Sequence, residues 1–396
     1  MASKAEATRA GGRDAVFTFS TETLADARQR EFCRPPDQAL LALCRAKGRI
    51  NRILAVNPWR SAPVVAFRAL TSDHQRESQF NRVSLLTPLR LRRHDPIGLP
   101  AIQRSYRRYD AILERRVRSL GFEKPVLLTF HLFVAAFCPL RWASTVTFYA
   151  RDDWAAAPSE TCLWPAYRQA YRVLRERGTR IICVSNEIAA RVSAGGPAVV
   201  LPNGVDGSLW SHPLSPPPAV LYLRRPLVTY AGTINGRLDT EMVAKLADDD
   251  AVGSIALIGP VENSALAERL RRIPKVTLCG SMSQRGLGGA LMYTDVCIIP
   301  HVRNPQTRAM SPLKLYEYLA AGKPVVTTDL PPVKGISERV IPASMDDFPK
   351  AVRTALSLPD QNEDERLEFV RANSWETRHE RTLNVMLADD KDWWKS

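Results

Sequence analysis

The sequence predicts two doubly wound α/β domains in one chain, and three observations carry that reading. The length of 396 residues exceeds the roughly 250–300 residues at which one hydrophobic core stops growing. Short β-branched and aromatic runs alternate with amphipathic helical patterns, as βα units on a parallel sheet require. The alternation breaks once, at Leu201-Pro202-Asn203-Gly204-Val205-Asp206 and the Pro-rich residues 213–218, which is turn and linker chemistry.

The elements follow in order. Residues 1–14 are polar and Ala/Gly-rich with no apolar centre, and read as a disordered tail rather than a signal peptide. Residues 15–201 form the first domain, with strands expected at 16–20, 50–56, 126–130, 145–149 and 181–184. Its helices are expected at 37–47 (after Pro35-Pro36 and before Gly48), 167–177 and 186–192. Residues 202–218 are the linker. Residues 219–375 form the second domain, with strands at 227–230, 254–258, 276–279, 296–300 and 324–328. Helices are expected there at 238–248, 264–272 and 313–321, and residues 376–396 read as a helix returning to the first domain. Such folds bind ligands outside the carboxyl ends of their strands, so a two-domain version is expected to use the interdomain cleft.

Composition narrows the function classes. A hydrophobic content of 45% with 24% charged residues excludes disorder throughout. The net charge of +14 is unevenly placed: residues 1–210 carry 32 basic and 18 acidic residues, whereas residues 211–396 carry 23 of each. A basic half points to an anionic partner such as a nucleic acid, an acidic membrane or an acidic substrate. Aromatic-interleaved basic motifs, helix-turn-helix and zinc patterns are missing, so no nucleic-acid partner is expected. Arginines cluster at 90–93, 104–108, 115–118 and 168–180. Arg115, Arg116 and Arg118 beside Ile112, Leu113 and Val117 make a basic amphipathic helix suited to anionic headgroups, worth about 1 kcal/mol per basic residue. The excess of 44 Arg over 11 Lys equally reads as compositional bias with solvated side chains. The seven cysteines are odd in number, scattered and without a CxxC pair, so they read as small buried hydrophobes in a reducing compartment. The longest apolar stretch, 125–140, contains Thr129, His131 and Pro139 and is shorter than the ~18–20 residues of a membrane span. The expected location is the cytoplasm or the inner face of its membrane.

The densest chemical signal is Ser311-Pro312-Leu313-Lys314-Leu315-Tyr316-Glu317-Tyr318-Leu319-Ala320-Ala321-Gly322-Lys323-Pro324-Val325-Val326. Ser-Pro at a helix start leaves backbone N–H groups pointing outward with the positive end of the helix dipole behind them, an anion seat suited to a diphosphate. Lys314 adds a point charge in the first turn, and Glu317 is placed to accept hydrogen bonds from hydroxyls as an acidic residue does for a ribose. An ordinary capped helix with surface charges is the alternative.

This segment resembles the donor-binding signature of the GT4 family of retaining GT-B glycosyltransferases, in the form "sPlKlyEYLAaGkPVV". Other segments agree in order: Pro202-Asn203-Gly204-Val205-Asp206, Tyr230-Ala231-Gly232-Thr233-Ile234, Thr294-Asp295-Val296-Cys297-Ile298-Ile299-Pro300 and Asn373-Ser374-Trp375-Glu376. Arg34-Pro35-Pro36-Asp37-Gln38 and Asp152-Asp153-Trp154 are similar to the subgroup that includes teichuronic-acid-type transferases. The resemblance implies two Rossmann-like domains facing a cleft (GT-B). It also implies a hexosyltransferase-type activity with no cofactor and no metal, a nucleoside-diphosphate sugar held by the second domain and a hydroxyl acceptor, anionic or lipid-linked, held by the first. The donor contacts it implies are Gly232, Thr233, Arg237, His301, Met310, Ser311, Leu313, Lys314 and Glu317, with Arg237 and Lys314 on the diphosphate. Glu317 corresponds to the second glutamate of the family's E-x7-E motif, and Ala309 stands where the first would be. The expected role is in cell-envelope polysaccharide or natural-product glycoside synthesis, with a GT-B UDP-sugar epimerase and a non-catalytic sugar-nucleotide-binding relative as rivals.

In the first domain, many family members carry a catalytic His after the strand at 145–149, whereas this chain has Tyr149-Ala150-Arg151-Asp152-Asp153-Trp154. Asp152 and Asp153 beside Arg151 are placed to position or deprotonate an acceptor hydroxyl. Two other readings stay open: an N-cap of the following turn, and a metal site, for which two adjacent carboxylates alone are poor. Arg34, His131 and Tyr149 complete the expected acceptor contacts.

Overall fold

The computed structural model describes residues 11–63, 80–389 and 392–395. It divides the chain into two compact units, one of Met1–Leu201 with His379–Ser396 and one of Pro202–Arg378.

The first unit is built on a seven-stranded sheet with the order β4-β2-β1-β6-β7-β8-β9. Its strands are β1 (Arg13–Thr18), β2 (Ile50–Val56), β4 (Val83–Leu86), β6 (Val126–Thr129), β7 (Thr145–Ala150), β8 (Arg180–Cys183) and β9 (Val199–Val200), while β3 (Arg60–Ser61) and β5 (Leu89–Arg90) form a separate pair. All seven run parallel. Central strands such as Val126–Thr129 are buried at every position, as a parallel sheet covered on both faces requires. The first strand begins at Arg13, whose N–H donates to the Arg49 carbonyl at 2.8 Å. The expected tail to residue 14 is therefore too long by two residues, and its first ten lie outside the described residues.

Helix Leu99–Ser119 buries Ile102, Tyr106, Tyr109, Leu113 and Val117, one stripe at helical spacing. Its apolar face is thus spent on the core. Arg115 and Arg118 on its other face stay exposed. The C-terminal segment is tied to this unit by Arg180, which donates to the Val385 and Ala388 carbonyls at 2.7 Å, and by Thr145 Oγ1, which donates to the Met386 carbonyl at 3.0 Å.

The second unit has a six-stranded parallel sheet of order β12-β11-β10-β13-β14-β15, from β10 (Leu227–Ala231), β11 (Ser254–Ile258), β12 (Val276–Gly280), β13 (Val296–Ile299), β14 (Val325–Thr328) and β15 (Val340–Ala343). Alternate residues enter opposite apolar layers: Leu227, Ala231, Cys297 and Ile299 on one face, Val228, Tyr230, Val296 and Ile298 on the other, as the two-residue period of a strand dictates. Residues expected to form a linker join this core. Asp206 caps the short helix Gly207–Trp210, and Val205 and Trp210 are buried in the first of those layers.

Both sheets reverse strand order at an inner pair, β1/β6 in the first unit and β10/β13 in the second. In open parallel sheets ligands sit outside the carboxyl ends of the strands at that switch point. The fold therefore nominates one place in each unit.

Candidate functional site

In the second unit, β10 runs into Gly232 and Thr233, and β13 into Pro300 and His301. Helix Leu313–Ala320 starts at Pro312, which offers no side-chain cap, so its first-turn N–H groups are left for a ligand. Lys314 Nζ donates to the Tyr230 hydroxyl at 2.8 Å and to His301 Nε2 at 3.4 Å. With Nε2 accepting, the ring proton of His301 sits on Nδ1, which is buried and without a partner among the described residues. Burial, then Lys314, then Arg237 lower the His301 pKa well below its usual value. Burial and Arg237 likewise lower that of Lys314, against an opposing pull from Glu317. Among the described residues the Arg237 guanidinium is anchored only through Nε, which donates to Asn235 Oδ1 at 3.3 Å.

One carboxylate faces this cationic group. Glu317 is half-buried, burial pushes its pKa up to about 7 against Lys314, and it has no hydrogen-bond partner among the described residues. Three positive or proton-donating groups around an open helix start, with one unpartnered carboxylate a turn away, suit a ligand carrying both phosphate and hydroxyl groups.

The backbone is shaped to admit such a ligand. Gly232 has φ +151°, and a Cβ there would collide with Lys314 Nζ. Ser311 is buried and held from the junction motif: Asn203 Nδ2 donates to its carbonyl at 2.7 Å. The same motif is pinned by Val205, whose N–H donates to the Asn373 carbonyl at 2.9 Å and whose carbonyl accepts from the Trp375 N–H at 2.8 Å. Three segments far apart in sequence thus brace one loop. Ala309 is fully buried, and Met310 and Leu313 are half-buried beside it.

In the first unit, His131 sits at the start of helix Leu132–Phe137 just beyond β6, with no side-chain bond to the helix. Its Nε2 lies 3.0 Å from the Tyr106 hydroxyl, which donates to Asp95 Oδ2 at 3.0 Å. Burial lowers its pKa to about 4, with Asp95 opposing and Arg90 assisting, so the imidazole is neutral at pH 7. It lines a cavity of about 610 Å³ whose walls include Trp59, Trp154 and Tyr167 and whose basic members include Arg60 and Arg93. Arg34 and Arg151 converge instead on Glu22: Arg34 pairs with it directly, and burial of that carboxyl is outweighed by Arg151, Arg30 and Arg34, which lower its pKa.

Two expected acceptor contacts are corrected. Asp153 is the cap of the turn Trp154–Ala156, only 3% exposed, accepting from the Ala155 N–H and the Tyr171 hydroxyl at 3.2 Å each and paired with Arg191. Three donors on a carboxylate this buried hold it as the cap of that turn. Tyr149 is 1% exposed, stacked on Phe130 at 4.9 Å, with its hydroxyl donating to the Leu201 carbonyl at 3.4 Å. Asp152 is half-buried and unpartnered among the described residues.

Residues 233–357 match the family described as Glycosyl transferases group 1. That segment lies within the second unit. TuaH of Bacillus subtilis (strain 168), described as a teichuronic acid biosynthesis glycosyltransferase, is 31% identical over 165 residues, which is 39% of this chain and 42% of that protein. The match thus spans about two fifths of the relative. The α,α-trehalose 6-phosphate synthase of Burkholderia multivorans superposes with a TM-score of 0.65 at 13% identity, over 94% of this chain and 97% of that one. Anabaena Alr3699/HepE, solved with UDP-glucose, gives 0.54 at 15% identity over 95% and 98%. These likenesses show that the chain has the GT-B fold.

Within the second unit, sequence reading missed Tyr230 and Tyr318. Tyr230 holds the Lys314 ammonium, and the Tyr318 hydroxyl accepts from the Ala231 N–H at 2.6 Å at the end of β10. The available signal was a tyrosine inside a buried strand or helix, whose hydroxyl must find a partner.

Proposed function

We propose that the chain is a retaining, metal-independent glycosyltransferase that moves a sugar from a nucleoside diphosphate to a hydroxyl acceptor. The observation that carries this is the gathering of Arg237, Lys314 and the His301 imidazole around an uncapped helix start, with Glu317 unpartnered one turn on. As the glycosidic bond to phosphate breaks, negative charge grows on the departing diphosphate and positive charge at the anomeric carbon. Arg237, Lys314 and the first N–H groups of helix Leu313–Ala320 are the donors that stabilise the former. Glu317 takes the ribose hydroxyls, and Gly232, Thr233 and the Met310-Ser311 backbone lie against the sugar and phosphates.

On the acceptor side, His131 and the aromatic cavity hold the hydroxyl substrate. Arg60 and Arg93 of that cavity are its basic neighbours, and Asp152 is the free carboxylate after β7. The likeness to TuaH supports a role in cell-envelope polysaccharide synthesis, and the basic first half supports an anionic or lipid-linked acceptor met at the inner face of a membrane. Among the described residues no helix is long and apolar enough to cross one.

The test is a mass-spectrometric screen of UDP-, dTDP- and GDP-sugars. Slow release of nucleoside diphosphate is expected, and Arg237→Ala should lower its rate at least about tenfold with the fold intact, since one such donor typically contributes about 2.7–4 kcal/mol to the barrier. An isomerised sugar would make the enzyme an epimerase, and failure to bind any nucleotide sugar would overturn the proposal.

A further inference from the structure

The arginines at 90–93 follow the short strand β5, which pairs with β3 apart from the seven-stranded sheet. Side chains along Leu89-Arg90-Leu91 alternate as an extended chain dictates: both leucines are exposed and Arg90 is half-buried. Arg90 turns back on the residues that follow it. Its Nε donates to the Arg92 carbonyl at 3.0 Å and its Nη2 to the Arg93 carbonyl at 3.2 Å, while Nη1 pairs with Asp95. The Tyr106 hydroxyl of helix Leu99–Ser119 donates to the other oxygen of Asp95 at 3.0 Å. The turn 91–97 is thus braced from within by one arginine and tied to a core helix through its one carboxylate.

The outward side of that turn is different. Leu91 is 84% exposed and Ile97 77%. Between them Arg92, Arg93 and His94 are exposed, and their side chains make no hydrogen bond or ion pair among the described residues. A single exposed aliphatic residue needs no explanation. Two of them flanking a run of basic residues, on a backbone already held in place, form a pre-organised amphipathic tip.

The chemistry of the tip selects its partner. A specific protein interface takes about 20–30 residues a side, whereas the tip presents the five side chains of Leu91, Arg92, Arg93, His94 and Ile97. A bilayer needs no more than the protruding groups: aliphatic side chains enter the acyl boundary while guanidinium groups meet lipid phosphates, and the two attractions add. We propose that the turn 91–97 docks the first unit on an anionic lipid surface, with Leu91 and Ile97 entering the bilayer and Arg92 and Arg93 on headgroup phosphates. Arg93, His94 and Ile97 also line the cavity of His131, so docking sets the rim of that cavity at the headgroup layer. The proposal rests on the reading of an acceptor met at a membrane, and names the surface that meets it.

The test is sedimentation of the full chain with mixed phosphatidylglycerol–phosphatidylcholine vesicles against pure phosphatidylcholine vesicles. It compares wild type with Leu91→Gln/Arg92→Gln and with Leu91→Met/Arg92→Lys. Wild type should favour the anionic vesicles, and the Gln variant should lose about tenfold or more in partitioning, since it gives up one buried aliphatic chain and one charge. The Met/Lys variant keeps both and should partition as wild type does. Wild type that sediments with neither vesicle, or equally with both, overturns the docking turn and the reading of an anionic membrane with it. Anionic binding that the Gln variant retains in full overturns the turn alone and leaves that reading standing. A wild-type dimer in sedimentation velocity that the Gln variant loses makes the occupant a second copy of the chain, and overturns the lipid assignment. An unchanged Tm and UDP titration verify that both variants are folded.

Discussion

Lys314 donates its ammonium to the Tyr230 hydroxyl and stands 4.0 Å from the centre of the same ring. The hydroxyl in turn donates to the Thr233 carbonyl at 3.2 Å, so one tyrosine fixes both the cation and the loop after β10. Tyr230→Phe keeps the ring and removes the hydroxyl. Nucleoside diphosphate release should fall about tenfold to a hundredfold, since a hydrogen bond to a charged group contributes about 1.5–3 kcal/mol. Tyr230→Leu, which also removes the cation–π contact, should fall further. Equal rates for Phe and wild type would show that Lys314 is placed by something else.

Glu317 gives the donor site a pH dependence with a definite sign. Its folded pKa of about 7 lies above the usual 4.5, so the folded protein holds a proton that the unfolded chain releases. Stability of the ligand-free protein should therefore decline as pH rises from about 4.5 to about 7 and level off above that. Nucleotide binding should run the other way, because the ionised carboxylate is the better acceptor for hydroxyls, and affinity should rise through about pH 7. Glu317→Gln should flatten both curves. Measuring Tm and the Kd for UDP from about pH 5 to about pH 8 checks the pair, and parallel slopes in the variant and wild type would remove Glu317 from both effects.

Much of this was legible before any coordinates. The βα alternation placed both sheets because parallel strands buried on two faces are nearly continuous apolar runs, and Ser311-Pro312 ahead of Lys314 and Glu317 marked the helix start. Side-chain saturation was not legible. Asp152 and Asp153 are adjacent in sequence and chemically identical, yet Asp153 meets Tyr171 and Arg191, 18 and 38 positions away, while Asp152 meets none of them. The short strands Arg60–Ser61, Leu89–Arg90 and Val199–Val200 are too brief to show a period.

Gly259 tests how tightly the donor loop is built. It has φ +141°, and a Cβ there would strike the Gly232 carbonyl. Backbone cannot swing aside as a side-chain tip can, so Gly259→Ala should cost about 2 kcal/mol or more. A drop of several degrees in Tm together with weaker UDP binding is expected, because Gly232 carries the displacement into the site. A normal Tm with normal binding would mean that the loop is more yielding than its contacts suggest.

The two adjacent aspartates should separate cleanly. Asp153→Ala removes a turn cap, a tyrosine hydrogen bond and an ion pair whose arginine partner is 40% exposed. That exposure lets water compensate Arg191, so the pair itself counts for little, and the cap and the stranded Tyr171 hydroxyl set the loss at about 2 kcal/mol or more. The expected result is a lower Tm, with catalytic loss only in proportion to unfolding. Asp152→Ala breaks no contact among the described residues and should leave Tm unchanged. If Asp152 orients the acceptor hydroxyl, that variant slows transfer to acceptor while release of nucleoside diphosphate to water stays at the wild-type rate. A shared drop in both rates would place Asp152 on the donor instead, and unchanged rates would leave it a solvated residue beside Arg151.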